Sequence, residues 1–381
     1  MKNSQTIAFF SGYYLPFLGG IERYTDKLSE ELVRLGYRVV IVTTNHDQLP
    51  NKVEEEGRTI YRLPSKKLFQ QRYPLLDKNA VFHDLMKQIE AEEIDAVICN
   101  TRFQLTTLLG LQFAKKHHLP SFVLDHGSSH FTVNNAILDF FGAIYEHLLT
   151  ARIKRFKPRF YGVSQRCCDW LRHFRIEADG VIYNSVPADL DLQFAGKSYL
   201  PKEEGQIFIT YAGRMLKEKG IEMLLEAFSG SHFPEHVQLQ IAGDGPEFER
   251  LQEQYASSQI HFLGRLDFDG TMSLMAQSDI FVYPSMYPEG LPTSILEAGI
   301  LGNAIIATDR GGTIEVIHQA DQGIIMEETV ASLQSALKTL VEDDTLRSRM
   351  QDAIHQRVKT NFTWTVTAEK VATLLVDSAN D

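Results

Sequence analysis

Apolar runs of strand length recur along the chain, each followed by turn residues and then by a stretch with helical spacing. TIAFFSG reads as a buried strand that runs into a turn containing Gly19 and Gly20. IERYTDKLSEELVRLG then sets Ile21, Tyr24, Leu28, Leu32 and Leu35 on one helical face, with Gly36 as the stop. YRVVIVTT is a second buried strand, and a strand–helix–strand opening predicts a parallel sheet. The alternation continues through IDAVICN, the helical LTTLLGLQFAKKHH, SFVLDHG and RFYGVS. A second series follows: strands QIFITYAGR, VQLQIAGDG, IHFLGR, DIFVYPS and AIIATDRGG, interleaved with helices IEMLLEAF and PTSILEAGILG. Between the series, PADLDLQFAGKSYLPKEEG is polar, carries proline and glycine, and reads as a linker. The expectation is an α/β protein of two doubly wound domains. Ligands would bind at the carboxyl ends of the strands, and two facing domains would hold the site in their cleft.

Composition narrows the class. A chain of 381 residues, 44% hydrophobic and 23% charged, suits two globular domains. No apolar stretch approaches the roughly 20 residues of a spanning helix, and the amino-terminal run is a poor secretory signal. Cys99, Cys167 and Cys168 form neither a disulfide framework nor a spaced metal site, which favours a reducing cytoplasm. A net charge of −11 argues against nucleic-acid binding. Against that background Arg152, Lys154, Arg155, Lys157, Arg159 and Arg166 make a basic run. It reads either as a solvated helix end stopped by Pro158, or as a contact for anionic lipid or a phosphorylated acceptor.

Candidate chemistry clusters after the strands. In AGRMLKEKG, Arg214 ends a strand and Lys219 precedes a helix, a pair suited to a diphosphate. AGDGPE is mainly a structural turn. The exposed backbone of FLGR, at Leu263 and Gly264, could receive a base. In YPEGLPTSILEA, Pro292 fits the first turn of a helix, and the Gly290 and Leu291 amides ahead of it could face an anion. Glu289 falls in the loop and Glu297 in the second helical turn, so the two carboxylates have different roles. A carboxylate can accept two hydroxyls of a sugar ring. Gly19 and Gly20 do not fit GxGxxG and argue against a nicotinamide site. In DHGSSH, His126 lies at a strand's carboxyl end. His126 and His130 have metal-ligand spacing but no third partner is evident, and DFD at 267–269 reads as a turn. His117 and His118 read as surface residues.

Taken together, GGIE, the histidine of DHG, GVSQRCCDWL, YNSVP, AGRMLKEKG, AGDGPE, FLGR and the two glutamates of PEGLPTSILEA resemble family 4 of the GT-B glycosyltransferases, over almost the whole chain. That resemblance implies two facing Rossmann-like domains: an acceptor-binding one at 1–187, onto which a carboxyl-terminal helix at 363–381 packs back, and a nucleotide-sugar-binding one at 188–362. It implies that Arg214 and Lys219 bind the donor diphosphate, Glu297 the ribose and Glu289 the transferred sugar. Gly290, Leu291, Pro292 and Thr293 would run along phosphate and sugar. Gly19 and Gly20 would approach the phosphate, His126 the reacting carbon, and Asn184, Leu263 and Gly264 would complete the donor site. The implied reaction is retaining transfer to a saccharide or lipid-linked hydroxyl, in bacterial polysaccharide or cell-envelope synthesis, with no metal and no cofactor beyond the donor. Acceptor recognition would lie around residues 65–75 and 128–145. The protein would be cytoplasmic, peripheral at the inner face of the plasma membrane through the basic run. A sugar-nucleotide epimerase of the same fold and a non-catalytic subunit are the rival readings. An epimerase would need further acids and bases around the sugar.

Overall fold

The computed structural model describes residues 5–17, 19–68, 73–132 and 135–378. Of the expected acceptor regions, residues 69–72 and 133–134 therefore lie outside the described residues. The chain divides into two compact units, one of residues 1–184 with 364–381, the other of residues 185–363.

In the first unit the strands are β1 (Thr6–Phe10), β2 (Arg38–Asn45), β3 (Lys52–Glu55), β4 (Arg58–Leu68), β5 (Tyr73–Leu76), β6 (Ala96–Asn100), β7 (Ser121–Asp125), β8 (Arg159–Gly162) and β9 (Gly180–Val181). Their order is β3-β4-β2-β1-β6-β7-β8-β9, with β5 paired to β4. The run from β4 to β9 is parallel, and β3 and β5 pair antiparallel to β4. The strands β1 and β6 are buried along their whole length, as helices on both faces of a parallel sheet require. One core holds Phe10, Val42, Val97, Val123 and Leu149; the other holds Phe9, Ile41, Ile98, Tyr24 and Leu28. The latter also takes Trp364, Ala368, Val371 and Leu375 from the last helix, Trp364–Ser378, which packs on the helix Gly20–Arg34.

The second unit has β10 (Ile207–Ala212), β11 (Val237–Ala242), β12 (Ile260–Gly264), β13 (Ile280–Tyr283), β14 (Ala304–Thr308) and β15 (Ile324–Met326). The order β12-β11-β10-β13-β14-β15 is parallel throughout. It is the dinucleotide-fold order, and its winding reverses between β10 and β13, the kind of point at which open α/β sheets bind ligands beyond the strands' carboxyl ends.

Several local expectations change. Leu35 is the C-cap of its helix and is exposed, because the helix stops one residue before it. The polar stretch read as a linker carries a short helix, Leu190–Phe194, whose Leu190 and Phe194 are buried, so it is part of the second unit rather than a free tether. Asp267 of DFD is a helix cap that accepts a hydrogen bond from the Gly270 amide at 2.7 Å. The antiparallel strands β3 and β5 and the helix Ala80–Glu90 were not anticipated, and the helix Ala136–Ile153 was anticipated only at its basic carboxyl end.

The helix Ala136–Ile153 is inverted relative to an ordinary surface helix. It turns Glu146 inward, to the guanidinium of Arg102, which is 0% exposed. Arg102 Nη2 donates to Glu146 Oε2 at 2.7 Å and Nη1 donates to the buried Asp125 carboxylate at the end of β7. The Phe174 ring lies 3.9 Å from the guanidinium carbon. Burial raises the Asp125 pKa, and Arg102 works against that rise. Arg102→Ala would strand two buried carboxylates. The expected loss is about 3–5 kcal/mol at neutral pH, shrinking in acid, where protonation of Asp125, whose pKa burial already raises, removes one of the stranded charges. Urea unfolding at two pH values checks this; a loss independent of pH would contradict the assignment.

Candidate functional site

At the reversal point of the second sheet, the loop after β10 carries Arg214 and Lys219 and the loop after β13 carries Glu289. The two loops are stitched together. Met286 N donates to Glu218 O at 2.8 Å, and Gly220, at φ +69°, sits so close to the Pro284 carbonyl that a Cβ would collide with it. Only glycine combines that left-handed backbone with that approach. The loop after β14 braces the other side. Thr308 Oγ1 donates to Ser285 O at 2.5 Å and Gly312 N to Gly290 O at 2.7 Å. A Cβ on Gly311, at φ +57°, would lie 2.6 Å from Glu289 O. These constraints hold the 287–292 segment in place ahead of the helix Thr293–Ile300.

The Glu289 carboxylate accepts from Lys219 Nζ and, at 2.9 Å, from Tyr283 Oη. Lys219 also lies 5.2 Å from the Tyr287 ring centroid. Burial first, and then the charge of Glu289, push the Tyr283 hydroxyl far up, so it remains a donor. Tyr211 Oη donates to Arg214 O at 3.0 Å, and its pKa is likewise raised by burial and then by Glu289. Arg214 is exposed and Lys219 partly so. Pro292 is the N-cap rather than the first helical residue, with φ −66° and ψ 117°. It has no side-chain acceptor, so the first turn, starting at the exposed Thr293, presents amides and the positive end of the helix dipole. Glu297 is half-buried one turn further on. Leu263 and Gly264 end the edge strand β12, with β11 between it and β10.

The turn AGDGPE packs under this site. Met215 N donates to Asp244 O at 2.9 Å, and Gly243 approaches the Gly213 carbonyl too closely for any side chain. Sequence reasoning missed the tyrosines 211, 283 and 287 and the brace at 308–312. The two glycines of DRGG after an apolar strand were the available signal for the brace.

In the first unit, Gly19 caps the helix Gly20–Arg34, and a Cβ on Gly20 would meet nothing within 4 Å. Glu22 is buried beneath Gly19, which raises its pKa; burial and then Glu22 hold the Tyr13 hydroxyl up at about 12. His126 follows β7. Its Nε2 faces Asn100 Oδ1 at 3.1 Å, and its ring meets Tyr24 edge-on at 4.9 Å. His130 turns away from it, toward Glu146 Oε2 at 3.2 Å, so the two histidines do not form the pair that their spacing suggests. Asn184 is the last residue of the first unit before the crossing.

Two sheets whose parallel strands run in dinucleotide order are the architecture of the GT-B glycosyltransferases. Comparison gives the family. The family described as Glycosyltransferase Family 4 matches residues 18–190, and Glycosyl transferases group 1 matches residues 197–357. The chain belongs to the family 4 glycosyltransferases. It is 26% identical over 376 residues to an uncharacterised glycosyltransferase, MJ1069, of Methanocaldococcus jannaschii, covering 94% of this chain and 95% of that protein. The phosphatidylinositol N-acetylglucosaminyltransferase gpi3 subunit of Schizosaccharomyces pombe is 24% identical, covering 94% of this chain and 78% of that protein. Among solved structures, Anabaena HepE in complex with UDP superposes with a TM-score of 0.70 at 18% identity, covering 98% of this chain and all (100%) of that one.

Enclosure pushes the His126 pKa from 6.5 down to about 3, so the ring is neutral near pH 7. Between those two values the unfolded chain binds a proton that the folded chain refuses. Stability attributable to this group is therefore full above pH 6.5 and falls as the pH drops toward 3. Wild type should lose more stability than His126→Gln on acidification from pH ~7 to ~5. Parallel denaturation curves at the two pH values check this, and an unchanged gap would contradict it.

Proposed function

We propose that this enzyme moves a sugar, with retention, from a nucleoside-diphosphate donor to the hydroxyl of a lipid-linked acceptor at an anionic membrane surface. The observation that supports the donor assignment is the contact of Lys219 with Glu289, made between the loops that follow β10 and β13 at the reversal of the second sheet, with Arg214 on the first of those loops and the Thr293–Ile300 helix after the second. A departing diphosphate accumulates charge, and fixed cations and helix amides stabilise it without protonation. On this reading Lys219 exchanges Glu289 for the diphosphate as the donor enters, releasing the carboxylate to a sugar hydroxyl. Glu297 takes the ribose hydroxyls. Gly290, Leu291 and Pro292 lie along phosphate and sugar, with Leu263 and Gly264 on the base side. His126, neutral, is the first-unit group assigned to the sugar's reacting carbon, and Gly20 supplies an open approach for phosphate. The leaving phosphate takes the acceptor's proton, so no separate base is assigned. Arg214, Lys219 and the amides supply the charge stabilisation that a metal would otherwise bring.

The membrane part rests on the inverted helix. Ile137, Phe140, Phe141, Ile144 and Leu148 are 71%, 62%, 61%, 42% and 67% exposed and follow helical spacing along one solvent-facing stripe. Arg152, Arg155 and Lys157 are exposed at its carboxyl end, whereas Lys154 and Arg159 are held by Phe174 O and Asp179. An apolar stripe ending in cations suits the interface of an anionic bilayer. No helix among the described residues is long and apolar enough to cross a membrane. The gpi3 relative, whose name gives phosphatidylinositol as what it acts on, supports an acceptor of this kind.

Two tests follow. Glu289→Ala should lower transfer by about 100-fold or more while nucleoside-diphosphate affinity changes little, and Glu297→Ala should weaken that affinity about tenfold, the order of one charged hydrogen-bonding contact. Calorimetry with UDP and GDP beside transfer assays checks this; equal effects on affinity would contradict the division. Product formed from donor alone would favour the epimerase. Separately, Phe140→Ser/Phe141→Ser should abolish co-sedimentation with phosphatidylglycerol vesicles, and Arg155→Glu/Lys157→Glu should reduce it more at low than at high salt. Binding that ignores anionic lipid content would remove the membrane assignment.

A further inference from the structure

Within the first unit, three histidines distant in sequence converge. His130 comes from the segment after β7, His147 from the helix Ala136–Ile153 and His173 from the 3-10 turn Arg172–Phe174. One nitrogen from each lies within 4.8 Å of the others. His147 Nε2 and His173 Nε2 are 3.2 Å apart. Two imidazole nitrogens on one tetrahedral zinc, each at about 2.0–2.1 Å, are separated by about 3.3–3.4 Å. That pair already has the spacing of two ligands on one ion, with a nitrogen of His130 within 4.8 Å of both.

The surroundings orient these rings. His130 Nδ1 is 3.2 Å from Glu146 Oε2. Glu146 is itself fixed by Arg102 and by the Phe131 amide, which donates to Oε1 at 2.8 Å. A carboxylate on Nδ1 makes that nitrogen the N–H donor and leaves the Nε2 lone pair for a metal, the outer-shell arrangement of zinc-bound histidines. Trp170 stacks on His173 at 4.7 Å with only 5° between the planes, which sets the direction of that ring. His126 is outside the group, so the cluster is separate from the residue assigned to the sugar.

We propose that His130, His147 and His173 bind one divalent ion of the zinc class, with Glu146 as the outer-shell partner of His130. Three neutral imidazoles leave the fourth position of a tetrahedral ion to solvent, and the inward carboxylate belongs to the Arg102 network rather than to the metal. The ion clasps the segment following β7 to the inverted helix and to the turn at 172–174. That segment begins at His126, so the clasp restrains the residues assigned to acceptor recognition. Its role is positioning rather than bond-making.

The test uses tag-free, full-length protein stripped with chelator and titrated with zinc against a chromophoric competitor, and with cobalt for its visible ligand-field bands. The expected result is one ion per chain and cobalt bands of a tetrahedral nitrogen site. His130→Gln, His147→Gln and His173→Gln should each weaken zinc binding by more than the roughly 10–100-fold that loss of an outer-shell partner costs. The exposed His83→Gln should leave it unchanged. His147 and His173 are exposed, so their variants should fold, with circular dichroism as the check. Absence of stoichiometric zinc binding overturns the proposal, as does binding that the His147 and His173 variants retain. The readout needs no sugar substrate and does not depend on the transfer reaction.

Discussion

Everything in this protein is organised by one constraint: a parallel sheet must be covered on both faces. Once helices bury both sides of β1, β6, β10 and β13, their backbones and side chains are committed to the core, and polar chemistry is displaced to the loops at the strand ends. The carboxyl ends are favoured because the following helices begin there and direct their unpaired amides outward. In the second unit the winding reverses between β10 and β13, and the loops that follow these two strands lie side by side. Their cross-links through Glu218, Gly220 and Pro284 then hold the cations and the carboxylate at fixed spacing.

The same economy governs the first unit. Arg102 is buried where a parallel-sheet protein normally has hydrocarbon, and it is tolerated because Asp125, Glu146 and the Phe174 ring surround it. That network has a structural consequence beyond charge neutrality. With Glu146 turned inward to Arg102 and Leu149 and Ile153 buried in the core, the helix Ala136–Ile153 leaves its apolar stripe at solvent. The same helix carries the exposed apolar stripe on one side and, on Glu146 and His147, groups that meet Arg102 and the other two histidines. The helix has a hydrophobic pattern that would suit a core, and its placement cannot be deduced from that pattern alone.

The alternation of strands and helices, the doubly wound class and the stretches bearing cations and glutamates are written in local patterns, and local physics reads them: burial on both faces makes near-continuous apolar strands, and glycine marks turns that need unusual backbone. For the same reason the polar β3 and the short, proline-bearing β5 escaped notice, since edge pairing is decided by the partner β4 rather than by composition. DFD is a helix cap, and the polar stretch after Pro187 is packed, because its Leu190 and Phe194 find apolar partners that no local window contains.

At the site, sequence alone determined the residue types and their order: a cation pair, a helix opened by proline, and two glutamates in unlike surroundings. Only the tertiary structure decided that Glu289 faces Lys219 and Tyr283, residues separated from it by 70 and 6 positions, while Glu297 lies on the helix beyond. It likewise decided that His130 leaves His126 for His147 and His173. Spacing along a chain constrains contacts within one turn or strand. Contacts between elements depend on sheet order and helix rotation, which are set by burial summed over the whole unit.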